Sequence, residues 1–224
     1  MEYNLGLFDI IRLDHFRGFI SYWEVPAGER TAKNGKWENA YPELFFKKLT
    51  ERIAKPAVIA ENLGVITPDV IKIMQDFKFP GVAILQFAFG KDFPHSGHIP
   101  ERFGKNTVVY TGTHDNNTLK GWFDHDAKPL EKRNLSKYLG QHPDSKNICC
   151  MMIEQAMKSG AILSIIPAQD ILCLGSEARM NHPSTVRSNW RWRLSPENFE
   201  QLCNSGSTFL AEITAKYGRE CRNT

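Results

Sequence analysis

Three acidic residues close three apolar, strand-like runs. Asp14 ends Leu7-Phe8-Asp9-Ile10-Ile11-Arg12-Leu13-Asp14, Glu61 ends Ala57-Val58-Ile59-Ala60-Glu61, and Asp115 ends Thr107-Val108-Val109-Tyr110-Thr111-Gly112-Thr113-His114-Asp115. In a parallel barrel the C-terminal strand ends open onto one face, so acids at these positions would converge on one pocket. Converging carboxylates suit the chemistry of a glycosidic bond. One acid protonates the leaving oxygen, and another takes up or stabilises the anomeric cation.

Each acid has neighbours that fit such a role and a plainer structural alternative. In an alternating strand Arg12 and Asp14 point the same way, and a guanidinium beside a carboxylate keeps it ionised, as a nucleophile must be. The alternative is a structural ion pair. Glu61 ends a wholly apolar strand, where desolvation raises a carboxyl's pKa and makes it a usable proton donor near neutrality. The alternative is a glutamate bonded to a backbone amide that follows it. Gly112 allows a tight turn or a close approach of ligand to the backbone before His114-Asp115, a pair suited to holding sugar hydroxyls. The alternative there is an Asx-type cap on the next helix. A metal would need further ligands, and His95 and His98 in the loop after the third strand are weak candidates. Trp23, Trp37, Phe87, Phe89, Trp122, Trp190 and Trp192 could stack on the apolar faces of sugars, with Phe89 and Trp122 better read as core.

The elements that must position these residues alternate between strand-like and helix-like. The pattern predicts strands over 7–14, 57–61, 82–89, 107–111 and 162–166. Helices are expected over 42–54, with Leu44, Phe45, Leu49 and Ile53 on its apolar face, and from Thr67 as N-cap with Pro68 at the first helical position to about 77. Further helices are expected over 118–123, 130–139, 148–158 and 196–217, with a long loop over 92–106. Strands separated by helices read as parallel βαβ units. Five such strands fall short of the eight of a closed barrel. The α/β fold expected is therefore a partial (β/α)8 barrel holding about the last five strands, their helices and a C-terminal helix.

Composition narrows the partners. Among 224 residues, 42% are hydrophobic and 24% charged, as in an ordinary globular domain. A formal net charge of +3 argues against nucleic acid or an anionic membrane as partner. The apolar stretches are too short for a membrane span. Cys149, Cys150, Cys173, Cys203 and Cys221 make an odd number, and no secretory signal opens the chain, so a reducing cytoplasm is expected.

The ordered strings Ile11-Arg12-Leu13-Asp14-His15-Phe16-Arg17-Gly18, Ala60-Glu61-Asn62-Leu63-Gly64, Leu85-Gln86-Phe87-Ala88-Phe89, Gly112-Thr113-His114-Asp115-Asn116 and Gly175-Ser176-Glu177-Ala178-Arg179-Met180-Asn181 closely resemble the amylomaltases, or 4-α-glucanotransferases. The resemblance runs from about Leu5 to about Leu194 and implies a retaining barrel enzyme on α-1,4-glucans. It implies Asp14 as nucleophile, Glu61 as general acid/base and Asp115 as transition-state stabiliser. Arg12 and His114 would hold the nucleophile and the sugar, and Phe87 would be an acceptor-side aromatic. It further implies maltooligosaccharide donors, glucose or another glucan as acceptor, and no metal or organic cofactor. The chain departs from the family at Asn117, commonly acidic, and at Ser184 and Ser188, commonly glycine, so the loop before Trp190 is expected to be shaped differently. The family is about twice as long, so residues 1–224 are expected to form the C-terminal part of one catalytic barrel, with a missing N-terminal half as partner. The same carboxylates would serve an α-glucan hydrolase, and a truncated chain would be an inactive glucan-binding fragment. The sequence leaves these alternatives open.

Overall fold

The computed structural model describes residues 1–220, so Cys221 lies outside the described residues. The chain forms two compact units that divide after Val82, and the fold is mixed α/β.

The first unit opens with α1 (Glu2–Leu5), β1 (Ile11–Leu13) and an antiparallel hairpin of β2 (Ser21–Glu24) and β3 (Lys36–Asn39), in which Trp23 faces Trp37. Then come α2 (Pro42–Arg52), β4 (Val58–Ala60) and α3 (Pro68–Asp76). Strand β1 pairs in parallel with β4, with Leu13 opposite Ala60, so Asp14 and Glu61 leave the pair at the same end. The apolar run 7–14 is strand only over its last few residues. Residues 7–10 are turn, bend and irregular backbone, and Leu7, Phe8 and Ile10 are exposed.

Helix α2 also differs from expectation. Tyr41 precedes it in a left-handed conformation (φ 52), and Phe46 and Leu49 turn inward while Leu44 and Phe45 stay exposed. Phe46, fully buried, packs its ring 5.5 Å from Phe16, 5.4 Å from Phe77 and 5.1 Å from Phe79. Thr67 sits at the N-cap of α3 as expected, but its hydroxyl turns to the Asp69 carboxylate instead of capping a backbone amide.

Strand β5 (Gly81–Ile84) begins the three-stranded sheet β5-β6-β7, with β6 at Thr107–Tyr110 and β7 at Leu163–Ile165. Strands β6 and β7 are parallel, Val109 lying opposite Ser164. The third expected strand stops at Ile84, because Leu85–Phe87 closes into a 3₁₀ turn that buries Leu85 and Gln86 and leaves Phe87 exposed. Between β6 and β7 lie α4 (Leu119–Gly121), α5 (Pro129–Leu139) and α6 (Ile148–Lys158). After β7 come α7 (Ala168–Ile171), α8 (Pro196–Gln201) and α9 (Ser207–Lys216). The last two were expected as one helix, but a π-type turn over Leu202–Gly206 separates them where Gly206 packs on Ile171 and Leu202.

The second unit's core joins the sheet (Ala83, Val109) to α6 (Cys149, Met152, Ile153, Ala156) and α9 (Ile213), with Phe89 and Trp122 buried in it. Arg219 fastens the chain beyond α9 by donating to the carbonyls of Met157 (2.6 Å), Ala161 (3.0 Å) and Ser159 (2.6 Å).

Because Phe46 packs against Phe16, Phe77 and Phe79 in the core of the first unit, Phe46→Ala is expected to destabilise that unit by about 3–5 kcal/mol. Denaturant unfolding of the variant against the parent would measure it, and a change under 1 kcal/mol would be inconsistent with this packing.

Candidate active site

In the first unit the end of the parallel pair builds a compact acidic site. Arg12 Nη2 lies 2.9 Å from Asp14 Oδ1, and the Asp14 side chain is largely exposed. Glu61, 8% exposed, takes its two bonds from backbone. Its Oε2 accepts from His15 N–H at 2.7 Å and its Oε1 from Leu63 N–H at 3.0 Å. His15 points its amide this way by adopting a left-handed backbone (φ 47), an unusual conformation for a non-glycine residue that is held here by the strand-end bonds. One of these is Phe16 N–H to the Glu61 carbonyl at 3.0 Å.

Burial pushes the Glu61 pKa up. The His15 amide, Arg12 and the Leu63 amide pull it down, and the Asp14 charge adds to the rise. The net direction is upward, so the desolvation expected at this strand end and the backbone-bonded alternative both describe Glu61.

The second unit holds the His114-Asp115 turn. Asp115 Oδ1 accepts from Asn181 Nδ2 at 2.6 Å, and its carbonyl accepts from Arg179 Nη2 at 2.8 Å. His114 Nε2 lies 3.5 Å from Asp115 Oδ2, and the His114 ring packs 5.1 Å from Trp190. Asp115 does not cap the following helix. Thr118 does, its Oγ1 accepting from Gly121 N–H at 3.0 Å. Gly112 is not in the left-handed region, and its need for glycine is a close approach: an added Cβ would meet Gln86 Nε2 at 2.6 Å. That Nε2 donates to the Asn117 carbonyl at 2.8 Å. Asn117 itself is buried and donates to Asp126 (3.1 Å) and Ser176 (2.9 Å).

Ser184 (φ 66) and Ser188 (φ 65) both take the left-handed conformation that glycine adopts without strain. Phe87 stands exposed with its ring 5.6 Å from that of His98. His98 Nδ1 accepts from Ile84 N–H at 3.2 Å, and burial lowers its pKa, so it acts as a neutral acceptor. Among the described residues no group of three or more His, Cys, Asp or Glu side chains is placed to hold a metal ion.

Sequence reasoning did not single out His15, Gln86, Arg179, Asn181 or Asp170 as site residues. Asp170 carried a usable signal, since it follows the apolar run 162–166 as the other acids follow theirs. It is 1% exposed, and its carboxylate accepts from Thr111 Oγ1 at 2.6 Å and Leu119 N–H at 2.7 Å. Burial raises its pKa to about 6 against the pull of those two bonds.

The sequence profile described as 4-alpha-glucanotransferase matches residues 1–199. A 4-alpha-glucanotransferase of Solanum tuberosum, named chloroplastic/amyloplastic, is 44% identical over 214 residues, covering 95% of this chain and 36% of its own length. The 4-alpha-glucanotransferase of Aquifex aeolicus is 42% identical over 220 residues, covering 98% of this chain and 44% of its own. The solved amylomaltase of Streptococcus agalactiae, in complex with acarbose, superposes with a TM-score of 0.89 at 32% identity, covering 97% of this chain and 43% of that one. The chain belongs to the 4-alpha-glucanotransferase family. It spans less than half the length of these relatives.

The raised pKa of Asp170 fixes the sign of one pH effect. The folded state holds this proton more tightly than the unfolded chain, where an aspartate titrates at about 4. Stability relative to Asp170→Asn, which has no titration there, should therefore fall as pH rises from about 4 through about 6. Parallel denaturation curves of the two proteins across that range would show it, and parallel pH profiles would contradict it.

Proposed function

We propose that this chain is the C-terminal part of a (β/α)8 catalytic barrel that transfers α-1,4-glucan segments with retention of configuration. Asp14 is the nucleophile, Glu61 the general acid/base, and Asp115 supports positive charge developing at the anomeric carbon. Arg12 orients Asp14, His114 holds the sugar at the cleaved bond, and Phe87 stacks on the acceptor side.

In the first half-reaction Glu61 gives its proton to the glycosidic oxygen as an Asp14 carboxylate oxygen attacks the anomeric carbon. The glycosidic C–O bond breaks, the shortened glucan leaves with the proton, and a glucosyl ester remains on Asp14. In the second, Glu61 takes the proton of an acceptor hydroxyl, whose oxygen displaces Asp14. The acceptor is glucose or another glucan, and the donors are maltooligosaccharides and longer α-1,4-glucans. Exclusion of water separates transfer from hydrolysis.

The observation that most supports this reading is the placement of an Arg-paired carboxylate and a desolvated one at the same end of one parallel strand pair. The short share of each relative that the chain covers supports a further part of the proposal, that it works with an N-terminal half supplying the remaining strands and donor groove. Cytosolic residence is also proposed, supported by free thiols at Cys149, Cys150, Cys173 and Cys203.

The test is kinetic, on the whole protein. Asp14→Asn should abolish disproportionation of maltotriose, because an amide cannot form the ester. In the glycosylation step, Glu61→Gln should lose about 10²–10⁴-fold on maltotriose but much less on a glucosyl fluoride, whose leaving group needs no proton. The parent's rate should fall on the basic side as pH rises through the Glu61 pKa, above the ordinary glutamate range, and this limb should vanish in Glu61→Gln. Equal losses on both donors in the glycosylation step would remove the acid role, and release of glucan to water alone would make the enzyme a hydrolase.

A further inference from the structure

Asp170 has no part in the mechanism above, yet its two oxygens bond to the two ends of one turn. Thr111, reached at 2.6 Å, directly follows β6, and Leu119, reached at 2.7 Å, is the first residue of α4. The residues between them carry His114 and Asp115. We propose that Asp170 is a positioning residue that fixes the geometry of the His114-Asp115 turn by clamping both of its ends to one carboxylate. The proposal rests on the sugar-contacting role given to that turn above.

Three features favour a clamp over a filler of the core. A carboxylate is an acceptor at both oxygens, so it satisfies the Thr111 hydroxyl and the Leu119 amide together without needing a donor of its own. The other bonds of the turn are internal or reach its middle. Asn116 N–H donates to the Thr113 carbonyl at 3.1 Å and Thr113 N–H to Asn116 Oδ1 at 2.9 Å. Asn181 N–H donates to the His114 carbonyl at 3.1 Å and Gln86 Nε2 to the Asn117 carbonyl at 2.8 Å, and none of these reaches Thr111 or Leu119. A cavity of about 150 Å³, lined by Thr113, His114, Gln169, Asp170 and Arg179 among others, leaves the turn room to shift if its ends are released. The tip is held from the other side by Arg179 and Asn181, so end and tip together set where His114 and Asp115 stand.

The clamp predicts an order among three variants of the whole protein. Asp170→Asn keeps both links, since its amide can donate to a Thr111 hydroxyl turned to accept, and kcat should stay within about fivefold. Thr111→Val breaks one link and should lower kcat about tenfold. Asp170→Ala breaks both and should lower kcat about 100-fold, with KM changed less than about threefold, because a misplaced group is lost mainly from the transition state.

The ring resonances of His114, followed by NMR, should hold in Asp170→Asn and move in the other two. Should Asp170→Ala not fold, the pair Asp170→Asn and Thr111→Val still decides. Wild-type kcat with unmoved His114 signals in Thr111→Val and Asp170→Ala would overturn the proposal, as would an Asn variant as impaired as the Ala one. A parent without glucan transfer would instead overturn the proposed function, while the His114 signals would still test the clamp.

Discussion

Parallel pairing of β1 with β4 is the constraint on which the first unit's site depends. Because Leu13 stands opposite Ala60, the next residue of each strand, Asp14 and Glu61, emerges at the same end. A slip by one residue would send one of the two side chains to the opposite face. The register is locked at that end by reciprocal bonds: Glu61 N–H donates to the Leu13 carbonyl at 3.0 Å, and the Glu61 side chain accepts from His15. Glu61 is thus part of the strand-end hydrogen bonding as well as a chemical group, and its burial follows from both. On the far side of β4, Ala60 N–H donates to the Pro80 carbonyl and Asn62 Oδ1 accepts from Val82 N–H, so the strand that carries Glu61 is held on each flank.

The second unit solves its positioning problem with side chains. A strand end delivers Thr111, but His114 and Asp115 lie beyond the last ladder bond of β6, where the sheet no longer restrains the backbone. Asp170, Arg179, Asn181 and the Trp190 ring supply that restraint from chain segments far away in sequence. Ser184 and Ser188 stay in left-handed conformations on the way to Trp190. Each such residue costs on the order of 1 kcal/mol relative to glycine, which the surrounding hydrogen bonds of His182, Thr185 and Asn189 help to offset.

These differences explain what could be read from the sequence. Val58-Ile59-Ala60 and Thr107-Val108-Val109-Tyr110 are legible because buried parallel strands are continuously apolar and stop at polar residues. The acids that end them are legible for the same reason. Hairpin β2–β3 was not, since its aromatic residues are exposed and give no burial pattern. The buried face of α2 is not legible because Leu44-Phe45-Phe46 offers two apolar phases, and the aromatic partners Phe16, Phe77 and Phe79 that receive Phe46 are distant in sequence. Asp170, Gln86 and Asn181 act through partners tens of residues away, and no local spacing encodes such pairings.

If Asp14 forms the covalent bond to sugar, as proposed, that bond can be trapped. The whole protein, treated with 5-fluoro-α-glucosyl fluoride and digested with protease, should give one peptide heavier by a single fluoroglucosyl group, with fragmentation placing it on Asp14. A label on Asp115 or Glu61 would contradict the claim.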